Sequence, residues 1–454
     1  MHLAVIGAGP AGLVLGAGLA RRGATVTLVD RDPGPPTDGV WARRGVMQFH
    51  HAHAIRPQVV ATLKRELPEA YQLLDVGPNR CRRRNRTARS PSPGCAASAA
   101  PTNKAYGRPP RPFRESPCAP ATLTRSSSRP NPQDAGPSES SSTDHRSRPI
   151  SSSTPPGGGR VNRHRRAPQS AGGVCGIAYV DRVYQLHDAA EPGPLVNPLA
   201  WQANLDGYQC LVFLHEHGIF SALVIRSTDD RDLVGLRHNG AFDAAVRAIS
   251  GLAEWTDPER SRPLTDVLPG GTLVNAYRGQ RGPDGELALP GLVFVGDAVC
   301  TTTPNFGRGL ATTMLQVDEL LRLLDATMDV TERSATTSRL TDMGEAFHAW
   351  TEANMRPWVQ DHAIMDDALR RRWGGEDIDL SQPGLPSDLV MEASRVDERI
   401  RPAIGPYVAM TALPAMLDAV EPLARVVYQS MWRPVLAAGP NRRELAGIVD
   451  AAAA

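Results

Sequence analysis

The chain opens on a short apolar run, Leu3-Ala4-Val5-Ile6, long enough for a buried strand and too short for most helices. Gly7-Ala8-Gly9-Pro10-Ala11-Gly12 interrupts it, and an apolar stretch of helical length runs from Leu13 to Arg22, stopped by Gly23. A second strand is predicted over 25–29, ending on Asp30. Helical spacing of Val60, Leu63, Leu67, Leu73 and Leu74 predicts one helix over about 57–74. Strand patterns return at 177–186 and at 208–215 with 219–226, the last two forming a hairpin around Glu216-His217-Gly218. Helical patterns cover 230–237 and 241–252, a strand is expected at 272–280, and Leu292-Val293-Phe294-Val295 reads as another buried strand. A long helix follows through about residue 324. From about 330 onward the pattern is helical throughout, with a kink at Pro357 and apolar helices at 407–417 and 423–432.

This order implies an α/β fold. A Rossmann-like three-layer unit comes first, then an antiparallel sheet with helices on one side, then a helical C-terminal region. Between 78 and 172 no pattern is readable. That stretch holds seventeen Arg and one Lys against four acids, and Pro and Ser make up about a third of it. It therefore carries a surplus of fourteen positive charges, which the whole-chain net charge of +2 conceals. With so few large apolar side chains it cannot offset its ordering entropy, so disorder is expected there.

The glycine turn has a physical job at each position. Gly7 permits a tight turn, Gly9 close approach of a pyrophosphate, and Gly12 close helix–strand packing. The following helix N-terminus offers free N–H groups and positive potential to a diphosphate. Asp30 can accept hydrogen bonds from a ribose. The full strand–turn–helix–strand–acid series supports a dinucleotide site, against a Gly/Ala-rich turn in an ordinary α/β core. Much later, Gly296-Asp297-Ala298 follows a strand-like run, and Pro304-Asn305-Phe306-Gly307-Arg308-Gly309-Leu310-Ala311 opens the long helix. An acid at such a strand end can hold a ribityl or ribose hydroxyl. The glycines let backbone N–H groups approach a flat ligand at the positive end of the helix.

These motifs, with the hairpin sheet between them, resemble the FAD-dependent aromatic hydroxylase-type monooxygenases and the bacterial FAD-dependent oxidoreductases of natural-product pathways. The likeness covers residues 1–76 and about 174–330. It implies an FAD-binding domain from 1–76 and 287–330, a substrate domain at 173–286 and a helical region at 331–454. It implies that Gly7, Ala8, Gly9, Pro10, Ala11, Gly12 and Asp30 hold the ADP half of FAD, with Arg31 beside the adenosine. Arg43 or Arg44 would reach the cofactor or incoming NAD(P)H. Gly296, Asp297 and Ala298 would serve the ribityl chain, while Pro304 and the backbone of Gly307, Arg308, Gly309 and Leu310 border the isoalloxazine. In that family NAD(P)H reduces the flavin, O₂ adds at C4a, and the hydroperoxide attacks an aromatic or polyketide-like substrate. The resemblance assigns no acid–base residue.

The sequence departs from the family between 78 and 172, where an Arg-containing helix, a small β-meander and a further strand belong. Shifted GC-rich codons yield Arg, Pro, Ser, Ala and Gly, so out-of-frame translation is expected there, with a native disordered insert as the alternative. The protein would then be a catalytically defective flavoprotein. A third reading is an NAD(P)-dependent dehydrogenase using the first motif alone.

Other features carry less. The six cysteines are scattered without a C-x-x-C pair, as isolated thiols in a reducing compartment. His50-His51-Ala52-His53 lacks an acid or Cys partner nearby for a metal. The basic stretch lacks the aromatic interleaving of a nucleic-acid module. Residues 3–20 have no basic n-region and five glycines, against a signal peptide or membrane helix. A cytoplasmic enzyme with a small hydrophobic substrate and O₂ as partners is expected.

Overall fold

The computed structural model describes residues 1–35, 43, 51, 53–75, 171–196, 200–282, 284–328 and 336–453. Two compact units divide the chain, Met1–Arg89 with Pro155–Ala454, and Ser90–Thr154. All elements below belong to the first. The basic stretch lies outside the described residues up to residue 170.

Strands β1 (His2–Ile6) and β2 (Thr25–Val29) pair in parallel, His2 opposite Thr25, and helix α1 (Pro10–Arg21) crosses between them. Pro10 suits the first helical turn because its missing N–H would have had no intrahelical partner. The single helix expected over 57–74 is two, α2 (Pro57–Glu66) and α3 (Pro68–Asp75). Pro68 forces the break, since the residue before a proline is driven out of the helical region, and Leu67 sits at φ −141°, ψ 63°.

The middle of the chain builds two antiparallel sheets. The smaller joins β3 (Ala171–Val174) to segments described below. The larger holds β4 (Ile177–Leu186), β5 (Ala200–Leu205), β6 (Tyr208–Leu214) and β7 (Ile219–Ser227). The hairpin is where the pattern put it, and β5 is a strand the pattern does not announce. Helices α4 (Asn239–Ala248) and α5 (Ser250–Thr256) follow, then the short β8 (Ser261–Pro263) and β9 (Leu268–Gly270). The strand order is β5-β6-β7-β4-β8, with β9 also on β4. Strands β10 (Val274–Tyr277) and β11 (Cys300–Thr301) complete the small sheet, ordered β11-β10-β3.

Alternation gives the large sheet two unlike faces. Val180, Tyr184, Val212, Phe220, Ala222 and Val224 pack in one core with Phe242 and Val246 of α4 and Leu252 and Trp255 of α5. Ile177, Tyr179, Leu211, Leu223 and Ile225 form the other, against Leu369 and Trp373.

The expected buried strand at 292–295 has no strand partner among the described residues. Two side-chain amides stand in for one. Gln280 donates to Phe294 O and accepts from Phe294 N, both at 2.8 Å, and Gln316 Oε1 accepts from Gly296 N at 2.8 Å. The expected burial holds for Phe294 alone, since Leu292 is exposed and Val293 and Val295 are half-buried; a ladder also needs a neighbour.

Helix α6 (Gly309–Thr327) packs directly on α1. Gly18 permits it: a Cβ there would lie 2.8 Å from Leu321 Cδ1. Helices α7 (Thr337–Asn354), α8 (Arg356–Trp373), α9 (Ser387–Ala393), α10 (Arg401–Val408) and α11 (Glu421–Gln429) share that core. The kink expected at Pro357 is the break between α7 and α8, with Pro357 in the first turn of α8. The apolar helix expected at 407–417 instead ends at Val408, and Pro414 opens a separate short 3₁₀ turn. The last helix, α12 (Arg442–Ala453), leaves that core and joins the large sheet. Arg442 grips Asp230 there at 2.6 and 2.7 Å, and Leu445 and Val449 are buried with α4.

Candidate functional site

At the glycine turn Gly7 takes φ +106° and donates to Val29 O at 2.7 Å, tying the end of β1 to that of β2. Gly12 has no alternative residue, because a Cβ would fall 1.8 Å from Gly7 O. Beside Gly9 a Cβ would meet nothing within 4 Å. The turn is therefore closed toward the strand and open at the helix N-terminus, where the first N–H groups of α1 lack intrahelical acceptors.

Asp30 braces this turn. Its carboxylate accepts from Ala8 N at 2.5 Å, Asp32 N at 2.8 Å and Arg43 Nη2 at 3.0 Å. Burial pushes its pKa up, but the two backbone N–H groups and the charges of Arg43 and Arg31 outweigh it and hold the group below the usual carboxylate range. A carboxylate offers about four acceptor positions, so one remains. Arg43 is buried, and also donates to Ala8 O at 2.7 Å and pairs with Asp32 at 3.4 Å. It thus sits on the turn. Arg31 is exposed, and Arg44 lies outside the described residues.

The second motif folds against the first. Gly296 takes φ +68° and packs on α1, where a Cβ would stand 3.2 Å from Ala11 Cβ. Asp297 follows, and desolvation by the surrounding protein raises its pKa against the pull of Arg278. Arg278 fixes the turn by donating to Asp297 O at 3.1 Å.

Beyond Cys300 the chain reaches the Pro304–Phe306 turn, and Gly307 sits left-handed at φ +57°. A Cβ on Gly307 would come 2.6 Å from Ala54 Cβ, so the segment before α2 lies flush on this loop. Arg56, in that segment, donates to the carbonyls of Phe306 and Val408, and through Nε to Gly307 O at 3.1 Å. Gly309 opens α6 and would meet nothing within 4 Å of a Cβ.

Arg308 turns its side chain away from this opening. It is fully buried, pairs with Asp361 at 3.0 Å, donates to His362 Nε2 at 3.1 Å, and lies 4.6 and 4.4 Å from the rings of Trp358 and Tyr407. Burial, then the charges of Arg308 and Arg56, pushes His362 well below the ordinary imidazole range, so it stays neutral and accepts. Only the backbone of Arg308 is left to border a ligand. Trp358 is sealed in this core.

Three features were missed in the sequence. Asn275 joins the loop to α8, accepting from Thr303 N at 2.7 Å and donating to Asp366 at 2.7 Å. Arg56 clips the loop. His51, weighed in the sequence as a metal ligand, donates through Nδ1 to Asp181 at 3.1 Å. Its signal was an acid at an inward position of an apolar strand. No group of three or more His, Cys, Asp or Glu that could hold a metal occurs among the described residues. The thiols of Cys175 and Cys300 are buried, and burial pushes both up to about 12. No described helix is long and apolar enough to cross a membrane.

Residues 5–74 match the family model described as an NAD(P)-binding Rossmann-like domain. That span holds the end of β1, the glycine turn, Asp30 and α1 through most of α3. No curated protein matches the sequence. Among solved structures the chain is similar in outline to the flavin-dependent brominase Bmp2, at 11% identity and a TM-score of 0.49 over 95% of this chain and 100% of that one. The flavin-dependent halogenase CmlS is similar at 13% identity and a TM-score of 0.47, over 95% of this chain and 77% of that one. The halogenase PltM is similar at 10% identity and a TM-score of 0.46, over 99% and 94%.

Proposed function

We propose that the chain is an FAD-dependent oxidoreductase, an NAD(P)H-dependent monooxygenase of a small aromatic or polyketide-like molecule. One observation carries the reading: the Gly296–Ala298 turn lies on the N-terminal turn of α1, so two loops far apart in sequence meet at one place. A nicotinamide site needs only the first of them. The match of residues 5–74 to a dinucleotide-binding domain supports the same turn as the ADP end.

The residues fit FAD. The open space beside Gly9 and the N–H groups of α1 suit a diphosphate, and the remaining acceptor position on Asp30 suits a ribose hydroxyl. Asp297 suits the ribityl chain, and the backbone of Gly307 to Leu310, at the positive end of α6, suits the flavin ring. When bound, FAD would supply hydride acceptance from NAD(P)H and activation of O₂. The protein binds, orients and excludes water: Arg43 keeps Asp30 ionised and aimed, Arg278 fixes Asp297, and Arg56 pins the loop that meets the ring.

A second reading is a flavoprotein that holds its cofactor weakly, favoured by the exposure of Ile6 (77%) and Val29 (52%) at the strand ends beside the turn. One experiment separates them. The full chain, loaded with FAD, is mixed anaerobically with NADH or NADPH and then with O₂, while the flavin spectrum is followed. Bleaching by a nicotinamide and recovery with O₂ is expected. Bound flavin that no nicotinamide reduces would refute the monooxygenase reading, and absence of bound flavin would favour the second.

A further inference from the structure

We propose that Asn275 is a positioning residue of the cofactor loop: its side-chain amide, aimed by Asp366, replaces one rung of the small sheet and sets where the backbone from Thr303 to Leu310 stands. The inference rests on the oxidoreductase reading for what that backbone meets, and on the geometry of the pair for how it is held.

The small sheet ends where the loop begins. Strands β10 and β11 pair Tyr277 with Cys300 and Ala276 with Thr301, and the same register would set Thr303 opposite Val274. Side chains claim both groups of that rung. Thr301 Oγ1 donates to Val274 O at 2.9 Å, and Thr303 N donates to Asn275 Oδ1 at 2.7 Å. The chain therefore leaves the sheet at Thr302, held off by the length of one side chain. Thr303 N–H is the last main-chain donor before Pro304, which has none. What fixes that amide fixes the start of the turn.

Asn275 serves only one way round. Thr303 N must donate, so it faces Oδ1, and Asp366 Oδ2, 2.7 Å away, accepts from Nδ2. Asn275 and Asp366 are each 1% exposed, which leaves no solvent to turn the amide. Burial pushes the Asp366 pKa up to about 7 against the bonds from Asn275 and Cys175, yet both of its forms keep a carboxyl oxygen that accepts. Helix α8 carries the loop further along the same face. One turn before Asp366, His362 meets the Phe306 ring edge-on at 5.7 Å and accepts from Arg308. The other groups acting on Asp366 are the Cys175 thiol, pushed up to about 12 and so protonated, Asp361, which pairs with Arg308, and Asp388 of α9, which pairs with Arg372.

Two substitutions isolate the donor. Asn275→Asp keeps the acceptor for Thr303 N and sets a second carboxyl against Asp366. Two carboxyls at hydrogen-bond distance share one proton, held above the ordinary carboxylate range. With that proton the bridge closes; once it leaves, the two charges repel and Thr303 N loses its anchor. Adding Asp366→Asn exchanges acid and amide, so donor and acceptor return with no shared proton.

Amide hydrogen exchange of the full chain, read by mass spectrometry on the peptide around Thr303 and corrected for intrinsic pH dependence, tests this without cofactor. Asn275→Asp is expected to match the wild type near pH 6 and to exchange about tenfold faster near pH 9. The exchanged double variant should stay protected at both. Equal exchange in Asn275→Asp at the two pH values, or a double variant without protection, would overturn the proposal. If Asn275→Asp fails to fold, the double variant decides alone. Flavin fluorescence and calorimetry on the same samples read the consequence. Relative to the wild type, Asn275→Asp should lose about tenfold in FAD affinity between the lower and the higher pH and nothing in ADP affinity. An equal loss for both ligands would mean a general loosening and overturn the positioning role. A wild-type chain that binds no flavin removes the oxidoreductase reading, and the exchange pattern still decides how the loop is held.

Discussion

Gly12 and Asp366 show how single positions constrain this molecule in opposite ways. Gly12→Ala would drive a methyl group into Gly7 O, 1.8 Å from where the Cβ must sit. Main-chain atoms cannot swing aside, so the turn opens. The expected cost is about 1–3 kcal/mol of stability, read as a lower urea midpoint, with loss of nucleotide binding. Asp366 is 1% exposed, and burial pushes its pKa up to about 7 against the hydrogen bond from Asn275. A carboxyl whose folded pKa is raised contributes its full stability below the unfolded value of about 4, and loses it as pH rises toward 7. Asp366→Asn keeps an acceptor for Asn275 and has no proton to lose. The variant should match the wild type near pH 4 and exceed it by about 1–4 kcal/mol at pH 8. A stability difference independent of pH would refute this.

At the scale of elements, the loop from Thr303 to Arg308 is held by contacts that no local pattern announces. Arg56 reaches it across 250 residues of sequence, and Asn275 ties it to α8. Arg56→Ala removes three donors to carbonyls at once, so protease cleavage between Thr303 and Arg308 should rise severalfold while the urea midpoint of the large sheet stays put. Unchanged cleavage would show that the clip is dispensable. Local chemistry made the first motif legible, because the need for Gly7 and Gly12 arises within a dozen residues. The hairpin was legible for the same reason. Residues 292–295 were not: their apolar pattern suggested a buried strand, but only Phe294 is buried, and the two glutamine amides that replace a ladder come from elsewhere. Pro68 was in plain view, and the helical spacing around it misled.

At the scale of the whole molecule, the sheet unit and the helical region meet the glycine turn through a few long-range pairs. His51 with Asp181 and Gly296 with Ala11 are two of them. Such convergence depends on tertiary packing, which explains why sequence named Gly307 but not Asn275 or Arg56, which hold its loop. Calorimetric titration of the full chain with FAD and, separately, with ADP tests whether the two loops make one site. The account predicts that FAD binds more tightly than ADP, and that Asp297→Ala weakens FAD by about tenfold while leaving ADP unchanged. Equal affinity for FAD and ADP in the wild type, with no effect of Asp297→Ala on either, would contradict it.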